Sequence, residues 1–167
     1  MSKNILETER LTLGEFDLSD AKFTLQLLNT PAWLKFIGDK NVHNNQEAEE
    51  YLTNGPMTSY KKNGFGLWLV SLKESNKAIG MCGLIKRDYL EEIDIGFALM
   101  PEYEGLGYGF EMAKATMSYS RKILRIDKVV AITNENNEAS IKLLNKIGLQ
   151  LDKTVKTPEN ETVLLFT

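Results

Sequence analysis

One cysteine, one histidine, four prolines and two tryptophans are all that 167 residues hold of these types. A single cysteine, Cys82, excludes an internal disulfide, and its place in the apolar run Ile79 to Ile85 predicts a buried structural thiol rather than a nucleophile. The lone histidine, His43, sits just ahead of a helix cap and reads as an exposed loop residue, with a catalytic base as the alternative. No metal is expected. No apolar run reaches the length of a membrane span, and Met1 to Arg10 lacks the apolar core and cleavage site of a signal peptide. A cytoplasmic protein without a membrane partner is therefore expected. A net charge of -3 and a pI near 5.3 argue against nucleic acid as the main partner and suit a cationic amine. Repeats, low-complexity segments and linkers are missing too. What remains, 43% hydrophobic and 26% charged, fits one globular domain spanning residues 1–167, with a core large enough to stand alone.

The stretch from Ile93 to Leu124 organises the rest. An alternating strand runs into Met100 and Pro101, and a turn follows with Gly105, Gly107 and Gly109 at alternate positions. Beyond it begins a helix with Phe110, Ala113, Met117 and Leu124 on its apolar face. Glycine lets backbone turn tightly and approach a ligand, and the first amides of a helix lack intrahelical acceptors. Together with the positive end of the helix dipole they make a phosphate cradle. No Gly-Lys-Ser/Thr ending is present and the GxGxxG spacing is absent, which argues against ATP and NAD.

Around this centre the chain reads in order. Thr8 to Leu13 alternates as a strand, Leu18-Ser19-Asp20 offers a cap for a helix over Ala21 to Asn29, and Thr30-Pro31 ends that helix. Asn44 with Glu47 predicts a second capped helix through Ala48, Tyr51 and Leu52, broken at Gly55-Pro56. Phe65 to Leu72 and Ala78 to Lys86 form a hairpin across Lys73 to Lys77, and Glu91 to Met100 follows as a strand. Its alternation sets Glu92, Asp94, Gly96 and Ala98 on one face, so two carboxylates share it. Lys128 to Thr133 has the continuous apolar run of a buried parallel strand. Asn137 then begins a helix closed by Gly148, and Leu151 to Lys156 with Thr162 to Phe166 makes a closing hairpin.

Two strings in this order resemble the GCN5-related N-acetyltransferases (GNAT), which bind acetyl-CoA. The first is Glu104-Gly105-Leu106-Gly107-Tyr108-Gly109, like the Gln/Arg-x-x-Gly-x-Gly/Ala loop except at its first position. The second is Asn137, Ser140, Leu143, Lys146 and Gly148-Leu149. The phrases Ile95-Gly96-Phe97 and Pro101-Glu102-Tyr103, with Thr8-Glu9-Arg10-Leu11, are similar to the RimJ/RimL-type branch, whose founding members acetylate N-termini of ribosomal proteins. Gly14 departs from that branch's usual arginine, and Glu104 sets a carboxylate beside the expected pyrophosphate.

The resemblance implies a mixed α/β GNAT fold, a central twisted sheet of about six or seven strands flanked by about four helices. It also implies an acyltransferase moving acetyl from acetyl-CoA to a primary amine by direct attack in a ternary complex. The acceptor is a protein N-terminus or a small amine. A non-catalytic acyl-CoA-binding module, monomeric or homodimeric like the enzyme, is the rival reading. Asp94 or Glu92 would be the base and Ser140 the thiolate acid, because the family's usual tyrosine position holds Leu144. Backbone from Phe97, Ala98, Leu99 and Met100 would hold the pantetheine arm with Asn137, and amides from Glu104 and Gly105 through Leu106, Gly107, Tyr108 and Gly109 the pyrophosphate.

Overall fold

In the computed structural model, which describes residues 3–167, these patterns become eight strands and six α-helices. The strands are β1 (Asn4–Glu7), β2 (Leu11–Gly14), β3 (Leu67–Leu72), β4 (Ala78–Ile85), β5 (Ile93–Leu99), β6 (Val129–Thr133), β7 (Leu151–Lys156) and β8 (Thr162–Phe166). They form one mixed sheet in the order β1-β2-β3-β4-β5-β6-β8-β7, with β5 and β6 its parallel pair. The helices are α1 (Ala21–Leu28), α2 (Pro31–Phe36), α3 (Asn45–Leu52), α4 (Thr58–Asn63), α5 (Tyr108–Lys122) and α6 (Glu138–Lys146).

The sheet exceeds the expected count by one strand, Asn4–Glu7, which precedes the run read as Thr8 to Leu13; that run opens with a turn and is a strand only from Leu11. Thr8 N–H donates to Leu11 O at 2.9 Å and closes a turn, so Asn4–Glu7 folds back antiparallel on Leu11–Gly14. Asp20 stands at the N-cap of α1 as expected, without a side-chain cap bond, while Asp17 caps the 3-10 turn Leu18–Asp20 before it: the Asp17 carboxylate accepts from Ser19 N–H at 2.8 Å and Asp20 accepts from Asp17 N–H at 2.9 Å. Thr30 and Pro31 stop α1 as expected, and they also start α2, with Pro31 at the first helical position where its missing N–H costs nothing.

The break expected at Gly55-Pro56 does not occur. Residues Thr53–Met57 form one widened π-type turn that joins α3 to α4. Widening removes the demand for an N–H at Pro56, and the Thr58 hydroxyl takes up the Thr53 carbonyl at 2.6 Å. Pro56 is thereby buried on the sheet side of the helix.

Two cores sandwich the sheet. On one face α5 buries Met112, Ala113, Thr116, Met117 and Ser120 against Leu11, Leu13, Trp68 and Cys82. Phe110 lies only half-buried at the edge of this stripe, and Leu124 lies beyond the helix end. Cys82 is fully buried with Sγ 3.3 Å from Thr116 Oγ1, and burial pushes its thiol up to about 12, so it is inert as the sequence implied. On the other face α1, α2 and α3 bury Leu27, Leu28, Trp33, Ala48 and Leu52 against Met81.

Close strand approach depends on β4. A Cβ added at Gly83 would stand 2.0 Å from Gly66 O and 2.8 Å from Leu67 Cα, both backbone atoms that cannot yield independently. Gly83→Ala should therefore destabilise the fold at the upper end of the roughly 1–3 kcal/mol cost of overpacking, read as a lowered urea midpoint. An unchanged midpoint would show that β3 moves aside freely.

Candidate active site

The site begins where two strands part. β5 and β6 share only the pairs Ile93↔Val129 and Asp94↔Val130, after which β6 turns to β8. The remainder of β5 keeps β4 on one side and a gap on the other. Met100 N–H donates to Ile79 O at 2.8 Å, and the antiparallel register then turns the polar groups of Ala98 and Gly96 toward β4 as well. By the same alternation Phe97 and Leu99 present N–H and C=O to the gap. Of the four residues expected to supply backbone there, Phe97 and Leu99 do. Ala98 contributes only wall, and Met100 is bonded to β4 and lies outside the cavity.

The gap opens into a cavity of about 810 Å³. At one end lie Gly105, Gly107 and Gly109 with the start of α5. Gly107 caps that helix at φ +87°, no side chain caps it, and its first ladder bond is Glu111 N–H to Gly107 O at 3.1 Å. The N–H groups of Tyr108, Gly109 and Phe110 consequently have no intrahelical acceptor. A Cβ at Gly105 would meet nothing within 4 Å, so the loop's outer surface is open to a ligand. These amides fit a pyrophosphate: several aligned donors at the positive end of a 15-residue helix. The side chains of Leu106 and Tyr108 do not line the cavity; Leu106 is 55% exposed, and the Tyr108 ring packs between Tyr103 and Arg10. Glu104, exposed, forms part of the cavity mouth.

The loop is braced from the far end of the chain, a device that the sequence reading missed. Glu111, in the first turn of α5, accepts from Thr8 Oγ1 at 2.6 Å, Arg10 N–H at 2.8 Å and Arg10 Nε at 2.7 Å. Partial burial opposes its charge, but these donors more than offset that and hold its carboxyl below the usual range. Arg10 also donates to Leu106 O at 3.1 Å and stacks over the Tyr108 ring at 4.2 Å. Glu111 is thus turned away from the ligand side of the helix, leaving the amides uncancelled.

At the other end lies Asp94, 1% exposed. The Arg87 guanidinium Nε sits 3.1 and 3.3 Å from its two carboxylate oxygens. Burial pushes the Asp94 carboxyl up to about 6, against the pull of Arg87. Asp94, expected to share one strand face with Glu92, lies buried on the face of β5 that the α1–α4 layer covers. Glu92 precedes β5, half-buried, and does not line the cavity. His43 is exposed and far from this centre in role: its N–H donates to Glu47 at 2.6 Å as part of the α3 cap.

From α6, Asn137 and Ser140 line the cavity beside Leu143 and Leu144. Asn137 Oδ1 accepts from Ser140 N–H at 3.2 Å, which is the expected cap, and the cap leaves its side-chain NH2 uncommitted. Ser140 Oγ has no hydrogen-bond partner among the described residues. Leu144 is buried at 1% exposure and offers no proton. Tyr51, singled out in the sequence only as a helix residue, also lines the cavity, and burial pushes its phenol up to about 12.

Residues 10–150 match the family model described as the acetyltransferase (GNAT) domain. The uncharacterized N-acetyltransferase p20 of Bacillus licheniformis is 27% identical over 157 residues, covering 92% of this chain and 86% of its own. Among solved structures, the acetyltransferase from Agrobacterium tumefaciens strain C58 superposes with a TM-score of 0.82 at 23% identity, over 96% of this chain and 91% of that one. The structure titled RimL, ribosomal L7/L12 alpha-N-protein acetyltransferase in complex with coenzyme A, gives 0.84 at 18% identity, over 98% and 96%.

Loss of the brace should loosen the glycine loop without touching the far end of the cavity. Arg10→Ala is expected to raise KM for acetyl-CoA roughly three- to tenfold with little change in kcat, and Arg10→Lys to recover part of it. Steady-state kinetics with both substrates varied would read this; a loss confined to kcat would contradict the assignment.

Proposed function

Because the chain belongs to the family of acetyltransferase (GNAT) domains, and is thus an acyltransferase, we propose that it carries the acetyl group of acetyl-CoA to a protein N-terminal amino group by direct attack in a ternary complex. The observation that carries this reading is the pairing, at two ends of one cavity, of an uncapped glycine-rich helix start and a buried carboxylate. The similarity to RimL, a ribosomal L7/L12 alpha-N-protein acetyltransferase, supports the protein N-terminus as acceptor. A small amine is the second reading, favoured by depth: with Asp94 at 1% exposure, a slender acceptor reaches it most easily.

Acetyl-CoA supplies an activated thioester carbonyl, and the chain supplies everything around it. The amides of Gly105, Gly107, Tyr108, Gly109 and Phe110 hold the pyrophosphate. The N–H and C=O groups of Phe97 and Leu99, with the Asn137 side chain, hold the pantetheine arm in the gap. Lys142 and Lys146 flank the same end of the cavity and favour further phosphate there. Asp94 removes a proton from the acceptor ammonium, through water because its side chain is one methylene shorter than glutamate. Arg87 keeps it oriented and charged. The Ser140 hydroxyl, in the first turn of α6 where the dipole favours an anion, passes a proton to the departing thiolate sulfur and takes one from solvent.

A carboxyl that titrates near 6 is charged above that value and protonated below it, so base catalysis through Asp94 should appear as kcat/KM rising with pH through about 6. Asp94→Asn should lower kcat about a hundredfold or more while acetyl-CoA still binds. Thiol release measured across a panel of N-terminal peptides and small amines tests both points. Acetyl-CoA binding with no acetylation of any amine would replace the enzyme by a non-catalytic acyl-CoA-binding module.

The same carboxyl makes a stability prediction whose sign is opposite to that of an ordinary ion pair. Its folded pKa exceeds the unfolded value, so its contribution is fully present below about 4 and is lost as pH rises through about 6. Relative to the parent, Asp94→Asn should gain on the order of 2 kcal/mol between pH 4 and pH 7.5 in urea unfolding. A constant difference over that range would mean that Asp94 is not desolvated.

A further inference from the structure

The chain as a whole is acidic at a net charge of -3, yet the charged lining of the cavity is mostly basic. Lys40 follows α2, Lys62 closes α4, and Lys86 and Arg87 follow β4; all four line the cavity. The carboxylates lining the cavity among the described residues are Asp94, already paired with Arg87, and Glu104 at its mouth. The nearby Asp39 is turned to its own loop, accepting from Asn41 N–H at 2.7 Å. Trp33 forms part of the cavity lining.

Three ammonium groups with no partner among the described residues are the wrong lining for a polyamine and the right one for an anion. Resting on the acetyltransferase reading above, we propose that the acceptor is an acidic amine: a primary amine with a carboxylate close to the reacting nitrogen. The lysines attract and orient the carboxylate, and Arg87 keeps Asp94 from repelling the incoming anion. The reacting nitrogen is then left beside Asp94. This reverses the expectation, drawn from overall charge, of a cationic amine. Polyamines are disfavoured because each added ammonium meets the same positive wall.

Two sources carry this chemistry, a free acidic amino acid and a protein N-terminus beginning with acidic residues, and matched pairs separate them. Acetylation rates are compared for aspartate against asparagine, for a peptide beginning Asp-Asp against one beginning Asn-Asn, and for spermidine. Within whichever pair is used, the acidic member should lead by at least about tenfold in kcat/KM, and the lead should shrink as salt rises. Spermidine should be the poorest acceptor. The double variant Lys62→Glu with Lys86→Glu should invert the order. Equal rates within both pairs, spermidine as the best acceptor, or a preference unmoved by the charge reversal would each overturn the proposal while leaving the acetyltransferase reading intact. Calorimetric titration of the protein–CoA complex with N-acetyl-aspartate and N-acetyl-asparagine reads the same charge preference without turnover. If nothing is acetylated, the transferase reading falls, and this titration alone decides the proposal: tighter N-acetyl-aspartate supports an acidic acceptor site, and equal affinity removes it.

Discussion

Every buried backbone N–H and C=O needs a partner, and the parting of β5 from β6 after Asp94 leaves a row of them without one. Much of the rest of the molecule is arranged around that deficit. β6 leaves β5 to pair with β8, which sits between it and β7, so the sheet continues on the far side of the gap rather than ending there. Phe97 and Leu99 keep polar groups facing the opening, and the helix that follows begins with amides equally unpartnered. A ligand with an amide-bearing arm and a phosphate-bearing end satisfies both sets at once, which is why one cosubstrate can organise so long a cavity.

What keeps the deficit from collapsing is bracing at both ends. Glu111 would be a natural partner for the free amides of its own helix start, but Thr8 and Arg10 hold it on the opposite side. At the other end the π-type turn at Pro56 lets α3 and α4 run as one continuous wall over Asp94, and that wall raises the carboxyl into a range useful for base catalysis. Tyr60 ties this wall to the sheet, accepting from Phe16 N–H at 3.1 Å and donating to Leu67 O. Neither brace touches the chemistry, and both shape it.

Much of this was legible in the residues. Alternation and helical spacing gave seven of the eight strands and the four longer helices, and Gly105, Gly107 and Gly109 marked the turn into α5, because local backbone chemistry is written locally. Long-range contacts were not. Arg10 and Glu111 are 101 residues apart and each reads alone as a surface charge. Burial of Asp94 depends on a helix layer that proline rules predicted to be broken, whereas the π-type turn absorbed the proline. Met100 belonged to the expected strand end, but which alternate residues face a gap is set by pairing register, and a strand's sequence does not show which neighbour it will lose. Overall charge does not decide the acceptor, since a sum over the surface says nothing of the few side chains that line one cavity.

The claim on which everything turns is that the unpartnered amides of β5 and α5 hold coenzyme A. Amide chemical shifts of the isotopically labelled protein, followed during titration with coenzyme A, test it residue by residue. The largest changes are expected at Phe97, Leu99, Tyr108, Gly109 and Phe110, with Met100 and Ala98, already bonded to β4, moving far less. Saturable binding whose shifts fall elsewhere, or no shift at the five, would contradict the account and leave the parted strands without a ligand.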